Sequence, residues 1–158
     1  MIFVTVGSQK FPFDRLIRKV DQMLREGLIQ EEVFIQTGAS RCVPSCPHQA
    51  FCEGEQFQTL LETCSVLITH GGAGTMVDAV KRGKRVIVVP RLARYGEHVD
   101  DHQLELAKRL HKMNLLHACL DVEQLPQALA QVRTHRFAPF QSNTQVFLAS
   151  LDGYIRSL

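Results

Sequence analysis

Short apolar runs of strand length alternate with longer amphipathic stretches along almost the whole chain. Ile2–Val6, Val33–Gln36, Val66–Thr69, Arg85–Val89 and Leu115–Cys119 are the short runs. They are too short for helices and, being mostly apolar, suit strands buried on both faces. Between and after them lie Pro12–Glu26, Glu55–Glu62, Thr75–Arg82, Asp100–Leu110 and Val122–Val132, which carry apolar residues at helical spacing. In the first of these Pro12 suits the first turn, and Phe13, Leu16, Ile17, Val20, Met23 and Leu24 repeat on one side. Pro126 interrupts the last one early. Gly83 follows Arg82 where a helix end takes a left-handed residue. Ala39–Gly54, with prolines and cysteines, and Arg91–Val99 read as irregular. Gln141–Ile155 reads as a final amphipathic helix with Val146, Phe147, Leu151, Tyr154 and Ile155 on its apolar side.

Strands alternating with helices build βαβ units, hence a parallel sheet covered on both faces. The expected fold is α/β: one doubly wound, Rossmann-like domain over residues 1–158. At 158 residues the chain can bury enough surface to fold without disulfides or metals. A formal charge of +2 is too mild for a nucleic-acid binder. No apolar run reaches the ~18–20 residues of a membrane span. Met1–Gly7 lacks the basic segment and cleavage site of a secretory leader, and reads as the first core strand of a cytoplasmic protein. Five cysteines at irregular spacing suit free thiols in a reducing compartment.

Sheets of this kind bind ligands beyond the carboxyl ends of their strands. The strongest motif sits at such an end: Leu67-Ile68-Thr69, then His70-Gly71-Gly72-Ala73-Gly74-Thr75, then a helix carrying Asp78. Glycines admit a ligand close to the backbone, and a helix N-terminus offers free N–H groups with partial positive charge. Together they suit phosphate; a tight turn without a ligand is the alternative. A dinucleotide fingerprint fails for want of its third glycine, since Val77 stands there, and no acidic residue closes the next strand. A P-loop fails because Gly83-Lys84 is followed by Arg85 and a strand.

The ordered set Phe3-Val4-Thr5-Val6-Gly7-Ser8 with Phe13-Asp14-Arg15-Leu16, the stretch Ile68–Asp78, Gly83–Pro90 and His102–Ala107 resembles the C-terminal, donor-binding half of GT-B glycosyltransferases of family 28. It looks most like the stand-alone catalytic subunits of two-component UDP-sugar transferases, of the dolichol pathway and of bacterial capsule and exopolysaccharide assembly. The resemblance implies that Gly7 and Ser8 approach the donor phosphates. Gly71, Gly72, Ala73, Gly74 and Thr75 match the diphosphate loop. Asp78 matches an acidic position that accepts ribose hydroxyls, where the family commonly has Glu. His102 and Gln103 match the pair that holds the hexose, an amide being able both to donate and to accept. The stretch Gln49–Gly54 lies where the family places its uracil-contacting backbone.

The resemblance further implies an inverting transferase using a UDP-sugar as co-substrate, with no cofactor. The lipid-linked, polyprenyl-diphosphate acceptor and the general base would come with a membrane-anchored partner resembling a GT-B N-domain. That would hold this chain at the inner membrane face. His70 is the one candidate base here, with strand-end packing as its alternative. Cys42, Cys46, His48 and Cys52 form an array whose spacing is not a standard zinc ribbon, so no metal is expected. His98, His111, His117 and His135 stand isolated in sequence, and Lys108–Lys112 reads as a solvated basic face. Gln141–Ile155 is the candidate docking element. Two rival functions remain at this point: a non-catalytic interaction subunit, and a self-sufficient UDP-sugar hydrolase or epimerase.

Overall fold

The computed structural model describes residues 1–141. The expected helix Gln141–Ile155, with its docking role, lies outside the described residues. Six parallel strands form one sheet in the order β3-β2-β1-β4-β5-β6. They are β1 (Ile2–Thr5), β2 (Val33–Gln36), β3 (His48–Gln49), β4 (Val66–Thr69), β5 (Arg85–Val88) and β6 (His117–Ala118). The helices are α1 (Asp14–Arg25), α2 (Gly54–Thr63), α3 (Ala73–Lys81), α4 (His102–Lys112) and α5 (Leu125–Thr134).

Side chains alternate across a strand, and the two faces are both apolar here. Ile2, Val4, Val33, Ile35, Val66, Ile68 and Ile87 point to one face, under Leu16, Ile17, Val20 and Met23 of α1 and Leu125, Leu129 and Val132 of α5. Phe3, Leu67, Val86 and Val88 point to the other, under Leu61 of α2, Met76 and Val80 of α3, and Leu106 and Leu110 of α4. Burying each such side chain contributes about 1.5–3 kcal/mol.

Several boundaries differ from those expected. Pro12 lies outside α1, which begins at Asp14 after the N-cap Phe13. Helix α3 begins at Ala73 rather than Thr75, because Gly72, in extended conformation, is its N-cap. A 3-10 turn at Val122–Gln124 precedes α5, and Pro126 occupies that helix's first turn, where its missing N–H has no partner to lose. The stretch expected to be irregular contains β3, whose His48 and Gln49 pair with Ile35 and Gln36. Helices α1, α3 and α4 end alike. Gly27 (φ 74°), Gly83 (φ 72°) and Asn114 (φ 60°) are left-handed. Each N–H there, and the next, bonds back to carbonyls of the last turn.

The order reverses between β1 and β4. The chain leaves β1 for α1 on one face and β4 for α3 on the other, so a crevice opens between the two loops.

Candidate functional site

Two glycine turns meet in this crevice. After β1, Gly7 takes φ 79°, and its N–H donates to the Thr5 hydroxyl (3.2 Å), which itself donates to Gln36 Oε1 (2.8 Å). After β4, His70–Gly72 lead into α3. The imidazole of His70 lies between the turns: a Cβ on Gly7 would stand 2.4 Å from His70 Nε2, and one on Gly72 2.4 Å from His70 Cε1. A Cβ on Gly71 would stand 2.4 Å from Gln103 Cβ. These three glycines are therefore required by the protein's own packing. Gly74 differs. Nothing of the protein lies within 4 Å of where its Cβ would be, so its open side faces outward from the first turn of α3. That turn has no side-chain cap. Its leading N–H groups have no intrahelical partner, as at any helix start, and carry partial positive charge.

His70 is 5% exposed and its Nδ1 has no hydrogen-bond partner. Burial, with the nearby Arg91 charge, pushes its pKa down to about 4. The ring is neutral at pH 7, and a base that weak abstracts protons poorly there.

Gln103, near the start of α4, is 6% exposed. Its Oε1 accepts from the N–H of Gly71 (3.2 Å) and of Arg91 (3.3 Å). Two backbone donors thus orient the amide and occupy both acceptor positions of its oxygen. With its oxygen so placed, the pairing with hexose hydroxyls expected of Gln103 would fall to its N–H groups.

The crevice widens into a cleft of about 290 Å³ lined by Gln9, Gly71, Gly72, Ala73, His98, Asp100, His102, Gln103 and Leu106. Asp100 stands between two imidazoles, Oδ1 3.2 Å from His98 Nδ1 and Oδ2 3.4 Å from His102 Nδ1. His98 is therefore not isolated in space. Nor are His111 and His117, whose rings lie 5.3 Å apart at the far end of α4.

Arg91 carries the arrangement and has no apolar or glycine signal to mark it in sequence. It is fully buried. Its Nη1 donates to Phe11 O (2.8 Å) and Glu97 O (3.0 Å), its Nη2 to Val6 O, and its guanidinium lies 5.1 Å over the Phe13 ring. Burial pushes its pKa down to about 10, leaving it charged at neutral pH. Glu97 is held in turn by Arg15, through Nε (3.0 Å) and Nη2 (2.9 Å), and accepts from Leu92 N–H (3.1 Å). The loop after β1 and the loop after β5 are thereby bolted together.

The remaining expected residues lie at the margins. Ser8 is exposed beside Gly7. Thr75 is in the first turn of α3. Asp78 lies further along that helix, outside the cleft, with Oδ1 3.0 Å from Arg82 Nε. Cys42 and Cys46 pack against the core, while His48 Nδ1 lies 2.8 Å from Cys46 O. Among the described residues no three His, Cys, Asp or Glu side chains are grouped to hold a metal ion. Among the same residues, no helix is long and apolar enough to cross a membrane.

The sequence pattern of the family described as glycosyltransferase family 28 C-terminal domain matches residues 1–155. Among curated proteins, the UDP-N-acetylglucosamine transferase subunit ALG13 of Homo sapiens is 30% identical over 128 residues, 75% of this chain and 11% of that protein. The subunit of the same name from Mus musculus is 29% identical over 127 residues, 74% of this chain and 10% of that protein. The chain thus matches only about a tenth of the length of these two relatives. A solution NMR structure of ALG13 superposes with a TM-score of 0.60 at 18% identity, covering 95% of this chain and 93% of that one. A crystal structure of Acinetobacter baumannii MurG does so with a TM-score of 0.57 at 17% identity, over 98% of this chain and 49% of that one. At such identities the structural likeness shows the fold alone.

Proposed function

This chain belongs to the glycosyltransferase family 28 C-terminal domain family, and from that premise we propose that it is the donor-binding subunit of an inverting UDP-sugar glycosyltransferase. One observation carries the reading. At the β1/β4 crevice the first turn of α3 is uncapped and Gly74 stands open, directly beside a polar cleft sized for a small ligand. Amides in that turn suit a diphosphate, and the cleft beyond suits the hexose.

The same amides would stabilise UDP as it departs, because negative charge grows on the leaving phosphate in the transition state. Inversion fits a single displacement at the anomeric carbon. Gln103 would donate to a sugar hydroxyl, and Asp78 would reach the ribose only by leaving Arg82. His70 would serve as a neutral packing element rather than as the base. The base, and a polyprenyl-diphosphate-linked acceptor, would come with a partner subunit at the membrane. The similarity to ALG13, a UDP-N-acetylglucosamine transferase subunit, supports an assembly of this kind.

Gly74→Ala tests the donor site. The substitution meets no protein atom, so the variant folds normally while its methyl group enters the proposed phosphate position. Titration calorimetry with UDP is expected to show at least a tenfold loss of affinity. Unchanged affinity overturns the reading. The partner is tested separately, by transfer to a lipid-linked acceptor with and without membranes carrying the candidate subunit. Full turnover by the chain alone would reject the two-component scheme.

A further inference from the structure

We infer that Gln9 contributes to sugar specificity, as an unpartnered hydrogen-bond acceptor in the cleft wall; this rests on the donor-site reading above. Gln9 lies on the loop after β1 and lines the cleft together with Gly72, Asp100, His102 and Gln103. Its side chain is half-buried, and its Oε1 is shut away from solvent with no partner. Buried polar atoms are normally paired, so an orphan in a cleft wall points to a group that arrives with a ligand.

The other cleft residues make the role specific. Gln103 has committed its oxygen to Gly71 and Arg91, and offers donors only. The Asp100 carboxylate lies 3.2 Å from His98 Nδ1 and 3.4 Å from His102 Nδ1, and its Oδ1 accepts from the His102 backbone N–H (3.0 Å). A hexose hydroxyl both donates and accepts. Bound here, it can accept from Gln103 and donate to an acceptor across the cleft. Gln9 is the neutral side chain in the cleft wall whose carboxamide oxygen has no partner within the protein. The ligand class is a neutral, hydroxyl-bearing hexose read from two sides by two amides of complementary polarity. A site built to pair a hydroxyl discriminates strongly against analogues that cannot make the bond.

The test is calorimetry on the full chain and on Gln9→Leu and Gln9→Glu, with UDP, UDP-glucose, UDP-galactose and UDP-N-acetylglucosamine as probes. Gln9→Leu is expected to weaken the tightest-bound of the three sugar nucleotides at least fivefold while changing UDP less than twofold. Gln9→Glu keeps the acceptor and is expected to stay within threefold of the parent for that nucleotide. It also covers the case in which the leucine variant fails to fold. Equal losses for UDP and for the sugar nucleotide would assign Gln9 to the shape of the loop and overturn the inference. So would a glutamate variant as weak as leucine, or a parent that binds UDP and UDP-sugars alike. A parent that binds no UDP would instead overturn the donor-site reading itself.

Discussion

The two edges of the sheet treat their polar groups in opposite ways. At the amino edge, a single carboxylate gathers its neighbours: Glu31 takes the Met1 amine (2.9 Å), the Ser65 hydroxyl (2.9 Å) and Arg133. Arg85 donates to Val132 O (2.6 Å) and His135 O (2.7 Å), so the end of α5 is capped by the first residue of β5. At the carboxyl edge, Gln9, Thr69, His70 and Arg91 each leave a buried side-chain atom unpaired. Among the described residues these are the four that do so. Groups left unpaired inside a protein are destabilising. The amino edge thus satisfies its polar groups, while the carboxyl edge carries the unpaired ones beside the Arg91 network that ties its loops together.

The largest expected effect comes from Arg91, the group on which the carboxyl edge depends. Arg91→Ala deletes a buried cation, leaving Val6 O, Phe11 O and Glu97 O without their donor. It should destabilise by about 3–5 kcal/mol in urea unfolding, the range for breaking a buried charged network. A change below 1 kcal/mol would erase the special standing of this edge.

A pair of glycine variants sharpens the contrast within the loop itself. Gly72→Ala drives a methyl into His70 and should cost about 1–3 kcal/mol, as overpacking does. Gly74→Ala should leave stability unchanged or slightly raised, since alanine is the better helix former. Equal thermal melts for the two would contradict the division between packing and ligand glycines.

Acid should undo the edges in sequence. His70 has a pKa of about 4 in the folded chain against an ordinary 6.5, so the unfolded chain takes up the proton first. Its contribution is complete above pH 6.5 and is lost as pH falls toward 4, on the order of 1 kcal/mol between pH 7 and 5.5. At Glu31 burial opposes the charge, but bonds from the Met1 amine, Arg133 and Ser65 prevail and hold the carboxyl at about 2. Its contribution is complete above an ordinary 4.5 and disappears as pH falls through 2. Amide exchange followed during acidification should therefore quicken around Gly7 and Gly71 before it quickens at Ser65. The reverse order would refute the comparison.

The smallest effect belongs to neither edge. Arg82 bridges Asp78 (3.0 Å) and Glu62 (2.8 Å) on an open helix surface. Arg82→Ala should leave the thermal melting temperature at the parent's value, because water and salt screen such pairs; a clear drop would show that the pairs matter.

The sheet was legible because its strands are apolar on both faces. Val66–Thr69 has the bounds read from sequence, and the Gly-rich turn announced the crevice. Strand β3 was not legible: two exposed residues after Pro47 carry neither alternation nor apolar weight, and only Ile35 and Gln36 make them a strand. The cleft was read in part. Gly71, Gly72, Ala73, His102 and Gln103, which a resemblance assigned to the donor, share its lining, whereas Gln9 and Asp100 were not singled out and His98 was read as isolated. Arg91 was invisible for a physical reason. Periodicity finds side chains buried by apolar attraction, while Arg91 is buried by carbonyls that converge on it from segments 80 or more residues away.

The His70 ring between Gly7 and Gly72 has a mechanical consequence. A flat, uncharged ring in contact with two bare backbones is a shim of fixed thickness. The spacing of the two turns is then set by covalent dimensions and not by whatever enters the crevice. A ligand arriving there finds the gap already gauged and loses little freedom of the chain in closing it, which favours tight binding. Replacing the shim with a smaller side chain would return that adjustment to the ligand, and the difference would show as a less favourable entropy of binding with the same set of contacts.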